Sequence, residues 1–235
     1  MKKTIKSILT KAAFALLMIL AISFTGGRDI QAAEKYASKT YKKTIVDYST
    51  KIVGTMSTVK VKTYYELLQL PGKTKAVKKI NKTLKNLSKN YNPEDILSVA
   101  LELSNDYDSF MGELCDYTNS NVVYNDGKYM SVVLEREWWA GGVSNSFYTG
   151  YTFDLSTGKR ASITKITGKS LKEIKERIIA NICANGEEID FTAETINALK
   201  ESDFRFYINS DDQCVVTFEP YEVTYGGWFR EYIIE

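Results

Sequence analysis

The 235-residue sequence predicts an α+β domain with a mainly antiparallel sheet and helices packed on it. Three observations carry this. Alternating β-branched and aromatic runs recur through the chain, most of them joined by short turns, so neighbouring strands pair as hairpins. Two stretches, Lys75 to Tyr91 and Leu171 to Cys183, have the three- and four-residue apolar spacing of amphipathic helices. The helices are inserted between groups of strands rather than alternating with them, which argues against a βαβ sheet.

Taken in order, the first segment is a leader. Lys2, Lys3, Lys6 and Lys11 precede the apolar run Ala12 to Phe24, and Ile30-Gln31-Ala32 offers a cleavage point after Ala32, which reads as a secretory signal peptide over residues 1–32. The rival is an uncleaved anchor; the run is shorter than the roughly 20 residues of a relaxed span. No Cys lies near the end of the run, the first being Cys115, which excludes a lipoprotein anchor. Residues 33–40 are polar and expected to be flexible, and 41–235 to form one domain, with an N-terminal part over 41–118 and a hairpin-rich part over 119–235.

Within that domain, Thr44 to Tyr48 and Thr58 to Tyr64 alternate as strands, and Pro71-Gly72 breaks the chain. The helix from Lys75 aligns Val77, Ile80, Leu84 and Leu87 on one side, so its lysines form a solvated face. Asn92-Pro93-Glu94-Asp95 supplies a cap, a first-turn proline and two acids for a helix over Glu94 to Leu103. Asn121 to Tyr124 and Lys128 to Trp139 flank Asp126-Gly127, a tight-turn pair. Ser146 to Leu155 is a further strand, and Ser170 with Glu173 forms a capping box for the helix Leu171 to Cys183. Thr192 to Lys200 is a short helix. Phe204 to Ile208, the turn Asn209 to Asp212, Cys214 to Phe218 and Phe229 to Ile234 close the chain as strands.

Composition limits the chemistry. With 44% hydrophobic and 26% charged residues the chain is globular, and it contains no histidine, which excludes every mechanism that relies on imidazole and every His-ligated metal. The leader holds five of the 31 basic residues and only one of the 29 acidic ones, so the remainder is near neutral and slightly acidic and has no footprint for nucleic acid. Cys115, Cys183 and Cys214 allow at most one internal disulfide, Cys183 with Cys214; each is equally a small buried hydrophobe. No Cys-x-x-Cys spacing marks a nucleophile.

Three clusters of carboxylates invite weighing. Glu135 and Glu137 share one face of a strand and would make a glycosidase-like pair if that face lined a cleft; a solvent-facing strand with cross-strand ion pairs is the favoured reading. Asp106 and Asp108, and Asn209, Asp211 and Asp212, are oxygen-rich, but turn chemistry explains both without a metal. No cofactor is expected.

The aromatic constellation is more informative. Trp138-Trp139-Ala140-Gly141-Gly142 and Tyr221 to Trp228 each place a Gly-Gly pair beside large rings at a strand end. Glycine admits unusual backbone angles and close approach, while Trp and Tyr offer apolar faces with a polar edge. The candidate ligand-binding residues are therefore Trp138, Trp139, Gly141, Gly142, Ser144, Tyr225, Gly226, Gly227 and Trp228, brought together at one edge of a single sheet, with one of the two adjacent Trp rings in the core and the other available. The bland alternative is that the rings fill the core and the glycines form bulges.

Val61 to Leu87 with its Leu70-Pro71-Gly72 break, Trp138 to Gly142, Tyr151 to Lys159, Leu171 to Ile174 and Phe218 to Gly227 together resemble the extracytoplasmic domain, of unknown function, shared by the anti-sigma factor RsiV and the peptidoglycan deacetylase PdaC. The resemblance spans most of the chain after the leader. It implies an α+β domain outside the membrane, in some members a lysozyme receptor and in others an accessory module ahead of a deacetylase. Where the family commonly has Gly-Gly-Ala-His-Gly, this chain has Gly141-Gly142-Val143-Ser144-Asn145, so any role of that imidazole is lost. With no deacetylase domain following and only eleven residues before the apolar run, a free-standing secreted version is expected.

The expectation is thus a secreted, non-enzymatic recognition domain of the cell envelope that binds a protein such as a lysozyme-type muramidase or cell-wall glycan, with the membrane involved only if the leader is retained. The alternative is a carboxylate-dependent peptidoglycan hydrolase or an accessory module of a cell-wall-modifying enzyme. A third class, an envelope protein that only stabilises a larger assembly, needs neither cleft nor catalytic pair.

Overall fold

The computed structural model describes residues 41–88, 93–107, 112–184, 189–224 and 229–234. The leader, the segment 33–40, Asn92 and Asp108 lie outside the described residues. The fold is α+β. In chain order the strands are β1 (Lys42–Asp47), β2 (Thr50–Val53), β3 (Thr58–Gln69), β4 (Glu113–Asn125), β5 (Tyr129–Trp139), β6 (Ser144–Asp154), β7 (Arg205–Ile208), β8 (Cys214–Phe218) and β9 (Arg230–Ile234). The helices are α1 (Lys75–Ser88), α2 (Glu94–Asp106), α3 (Ile163–Thr167), α4 (Leu171–Ala184) and α5 (Ile189–Ala198).

Two sheets form, not one. Six strands make a mixed sheet in the order β1-β3-β4-β5-β6, with β2 also on β3, and β7-β8-β9 make a separate antiparallel sheet. All pairs are antiparallel except β3 with β4, which α1 and α2 connect as a crossover. Hairpins carry the rest: Asp126 accepts through its carboxylate from Lys128 N and Tyr129 N at the β4–β5 turn, and Gly127 takes φ 89° there.

The helices cover opposite outer sides. α1 and α2 lie on one face of the six-stranded sheet, where Ile80 and Leu84 pack with Val132 and Phe153, and Ile96 and Ala100 with Val61 and Leu114. α4 places Ile174, Ile178 and Ile182 against Phe206, Val216 and Tyr232 of the small sheet. Its first turn is closed by the expected box: Glu173 accepts from Ser170 N at 2.7 Å and Ser170 Oγ accepts from Glu173 N at 3.2 Å. The small sheet is sandwiched between α4 and the large sheet.

Several expectations change. β4 starts at Glu113 rather than near Asn121, so the boundary drawn at residue 118 falls inside a strand. Its first half is rich in Asp, Asn and Ser, which reads as loop, but tertiary partners satisfy those groups: buried Asp116 receives both Nε and Nη2 of Arg136, at 2.8 and 2.7 Å, and Ser120 pairs with the Glu66 carboxylate and carbonyl. β2 and α3 were not anticipated. Pro93 sits at the N-cap position of α2 with helical backbone angles and its carbonyl accepts from Leu97 N. All three cysteines are free; Cys214 lies in the core under α4, and burial pushes its thiol up to about 12.

Candidate functional site

The second face of the six-stranded sheet is only partly covered. Strand alternation and register put Lys62, Tyr64 and Glu66 of β3, Cys115, Tyr117 and Asn119 of β4, Ser131, Glu135 and Glu137 of β5, and Ser146, Tyr148, Gly150 and Thr152 of β6 on it. At one end the small sheet sits directly on this face. Gly150 N donates to Thr217 Oγ1 at 3.1 Å, Thr152 Oγ1 donates to the Phe206 carbonyl at 3.1 Å, and Ile208 N donates to Ser131 Oγ at 2.9 Å. A Cβ at Gly150 would stand 2.7 Å from Tyr207 Cδ1 and 2.9 Å from the Phe206 carbonyl carbon, so only glycine admits the contact.

The other end is open and aromatic. Tyr64 and Tyr117 stack with centroids 4.9 Å apart and planes 6° from parallel, and Lys62 Nζ lies 5.5 and 5.3 Å from the two centroids. Tyr64 donates to Asn119 Oδ1 at 3.1 Å, and Tyr117 donates to the Glu137 carboxylate. Where the small sheet ends, Tyr148 stacks on Phe229 at 5.7 Å and meets Tyr207 edge-on at 5.9 Å, and Tyr207 donates to Glu231 Oε1 at 2.9 Å. The result is a floor of tyrosine rings and carboxylates with one wall made by β7 and β9.

The electrostatics keep the phenols protonated. The hydrogen bond to Glu137, then burial, hold Tyr117 above its ordinary value; burial, then Glu231 and Glu135, push Tyr148 up to about 12; and burial with Glu231 raises Tyr207. Burial, then Glu137, likewise raises the Cys115 thiol. Each group is a donor at neutral pH, and none is poised as a nucleophile or base. Glu135 and Glu137 share this face, as the alternation implied, and Glu137 is engaged by Tyr117.

The residues singled out in the sequence fare unevenly. Trp138 and Trp139 are both half-buried and both touch the cluster of Val59, Ile96 and Leu114 at the end of the β5–β6 hairpin; alternation puts Trp138 on the helix-covered face and Trp139 on the face of Glu135 and Glu137. Gly141, at φ 84°, and Gly142 form the hairpin turn, closed by Ala140 N to Val143 O at 2.9 Å, and Ser144 is exposed at the start of β6. Tyr225, Gly226, Gly227 and Trp228 lie outside the described residues. β5 and β9 belong to different sheets, so no single sheet edge joins them; Phe229, just before β9, stacks on Tyr148 of β6. The Asn209 to Asp212 cluster is a turn, with Asn209 Oδ1 accepting from Asp211 N and Gln213 N. Tyr64, Tyr117, Tyr148 and Tyr207 were not singled out; the first two and the last stand two positions before Glu66, Asn119 and Asn209, while Tyr148, between Ser146 and Gly150, carries no such signal.

No family model matches the sequence, and neither does any curated protein. Among solved structures, the chain is similar to a member of the DUF3298 family, a domain family of unknown function, from Bacteroides fragilis: 10% identity, 84% of this chain and 91% of that one covered, TM-score 0.52. A DUF3298 protein from Pseudomonas aeruginosa aligns at 12% identity over 83% of this chain and 90% of its own, with TM-score 0.46. The first of these likenesses shows a shared fold.

Proposed function

We propose that the chain is a recognition domain acting outside the cell membrane, without catalysis, which uses the open end of the sheet face to bind a protein such as a muramidase or a cell-wall glycan. The observation that carries this reading is the Tyr64–Tyr117 stack continued by Tyr148 and Tyr207, bordered by Glu135, Glu137 and Glu231. Flat rings with donor edges suit both the apolar faces of sugars and the cationic side chains of a basic protein, and the carboxylates suit sugar hydroxyls or lysine and arginine. Phenols held protonated favour binding over chemistry. The resemblance to the RsiV and PdaC extracytoplasmic domain points the same way, and the leader supports a secreted or envelope-associated location.

The test is a pulldown of the purified domain against lysozyme and against purified peptidoglycan, with analysis of the glycan products. Tyr117→Ala and Tyr148→Ala should each weaken binding by about 2 kcal/mol, the scale of an interface anchor, and Glu135→Gln and Glu137→Gln should leave no hydrolysis to lose. Glycan cleavage by the wild type, abolished in either Gln variant, would replace this reading with the hydrolase. Protein recovered from the medium or envelope should begin close to Ala33.

A further inference from the structure

The small sheet ends in β9, and among the described residues β9 pairs with β8 alone. At the mouth of the β7–β8 hairpin Asn209 N donates to Gln213 O, so alternation assigns the odd-numbered positions of β8 to β7 and the even-numbered ones to β9. Phe218, Val216 and Cys214 lie opposite Arg230, Tyr232 and Ile234. The N–H and C=O of Glu231 and Ile233 therefore point away from β8, a short template for one more strand.

A groove of about 580 Å³ runs along this edge, and its far wall is α4. Arg177, Ala180, Asn181 and Ala184 line it at the one-face spacing of a helix, all four exposed. The alanines leave room for the side chains of an incoming strand. The helix wall carries one charge, Arg177, which forms no salt bridge among the described residues, although Glu173 one turn back feels its charge. The Glu231 carboxylate accepts from Tyr207 instead.

We propose that β9 and α4 form a docking groove for an extended acidic segment of a partner protein, which adds to the small sheet as a fourth strand and places a carboxylate on Arg177. Main-chain bonds to Glu231 and Ile233 supply affinity that does not depend on sequence, and Arg177 with the alanine wall selects it. β9 borders both surfaces through Glu231, so Tyr117→Ala, on β4 and away from β9 and α4, is the variant that tells the two sites apart: it leaves this groove intact.

The experiment pans a phage-displayed library of random linear dodecapeptides against the full chain. Enriched peptides should carry Asp or Glu among β-branched residues, and one synthesised with a fluorescent label should bind about tenfold more weakly to Arg177→Glu, a variant that should select Lys- and Arg-bearing peptides when panned itself. Ile233→Pro removes an outward N–H without touching the β8 ladder, and should weaken every enriched peptide while circular dichroism stays that of the wild type. Enrichment of no linear peptide, unchanged binding to either variant, or self-association of the wild type that both variants abolish would overturn the proposal. The charge reversal alone decides the matter if Ile233→Pro fails to fold.

Discussion

The two ends of one sheet face follow opposite rules. Under the small sheet the face is built from Gly150, Thr152 and Ser131, small residues whose polar atoms bond across to Thr217, Phe206 and Ile208. Beyond it the same two strands carry Glu135, Glu137 and Tyr148, and β3 and β4 add Tyr64 and Tyr117. Backbone can approach backbone only where side chains are small, and there each buried polar atom needs a partner in the opposing layer. Where water takes that role, large amphipathic rings are tolerated and available. Stability should therefore concentrate at the covered end, and ligand recognition at the open one.

The sharpest way to break this contrast is Gly150→Val. Its branches have nowhere to go but into Tyr207 and the Phe206 backbone, and about 3 kcal/mol of stability should be lost, the upper range for overpacking. Urea denaturation measures it, and an unchanged midpoint would mean that the sheets are not in contact. Thr152→Val keeps the shape but removes the hydroxyl that donates to Phe206 and meets Ser131 Oγ at 2.9 Å, which should cost about 1–2 kcal/mol in the same assay. At the open end Tyr117→Ala forfeits the stack on Tyr64, for about 1 kcal/mol; a larger loss would place that ring in the core.

The smallest effects belong to carboxylates, and their signs differ. Burial raises Glu231 above its ordinary 4.5. Below that value it is protonated in both states; as pH rises the unfolded chain releases the proton first, so stability declines until the folded group ionises. Relative to Glu231→Gln, the wild type should lose stability from pH 4 toward neutrality. Glu201 is lowered by its bonds from Ser162 and Thr164. Its contribution is present above 4.5 and lost as pH falls through the lower folded value, so Glu201→Gln should be destabilised at neutral pH and converge with the wild type in acid. Thermal unfolding across pH separates the two, and parallel profiles would contradict both assignments.

Local devices were legible wherever a residue and its partner are close in sequence. The Ser170–Glu173 box, the Asp126-Gly127 turn and the apolar stripe of α1 each need no more than a few neighbours to act. The segment 113–120 failed for the converse reason: Asp116 and Ser120 look like loop residues until Arg136, twenty positions on, and Glu66, on another strand, satisfy them. The candidate site failed similarly. Trp138 and Trp139 stood out as large rings beside glycines, yet both are half-buried against the cluster of Val59, Ile96 and Leu114, whereas the tyrosines that meet on the open face lie on four strands and look ordinary in each.

The sequence by itself determined the α+β class, the positions of the main helices and hairpins, the exclusion of imidazole chemistry, and the pairing of Glu135 with Glu137 on one face, because propensity, capping and strand alternation act over short spans of chain. Only the tertiary structure decided that β3 and β4 run parallel, that the strands divide into two sheets, and that the smaller sheet covers one end of the larger. Those choices depend on contacts between residues tens of positions apart, whose combined burial and polar satisfaction no local pattern encodes.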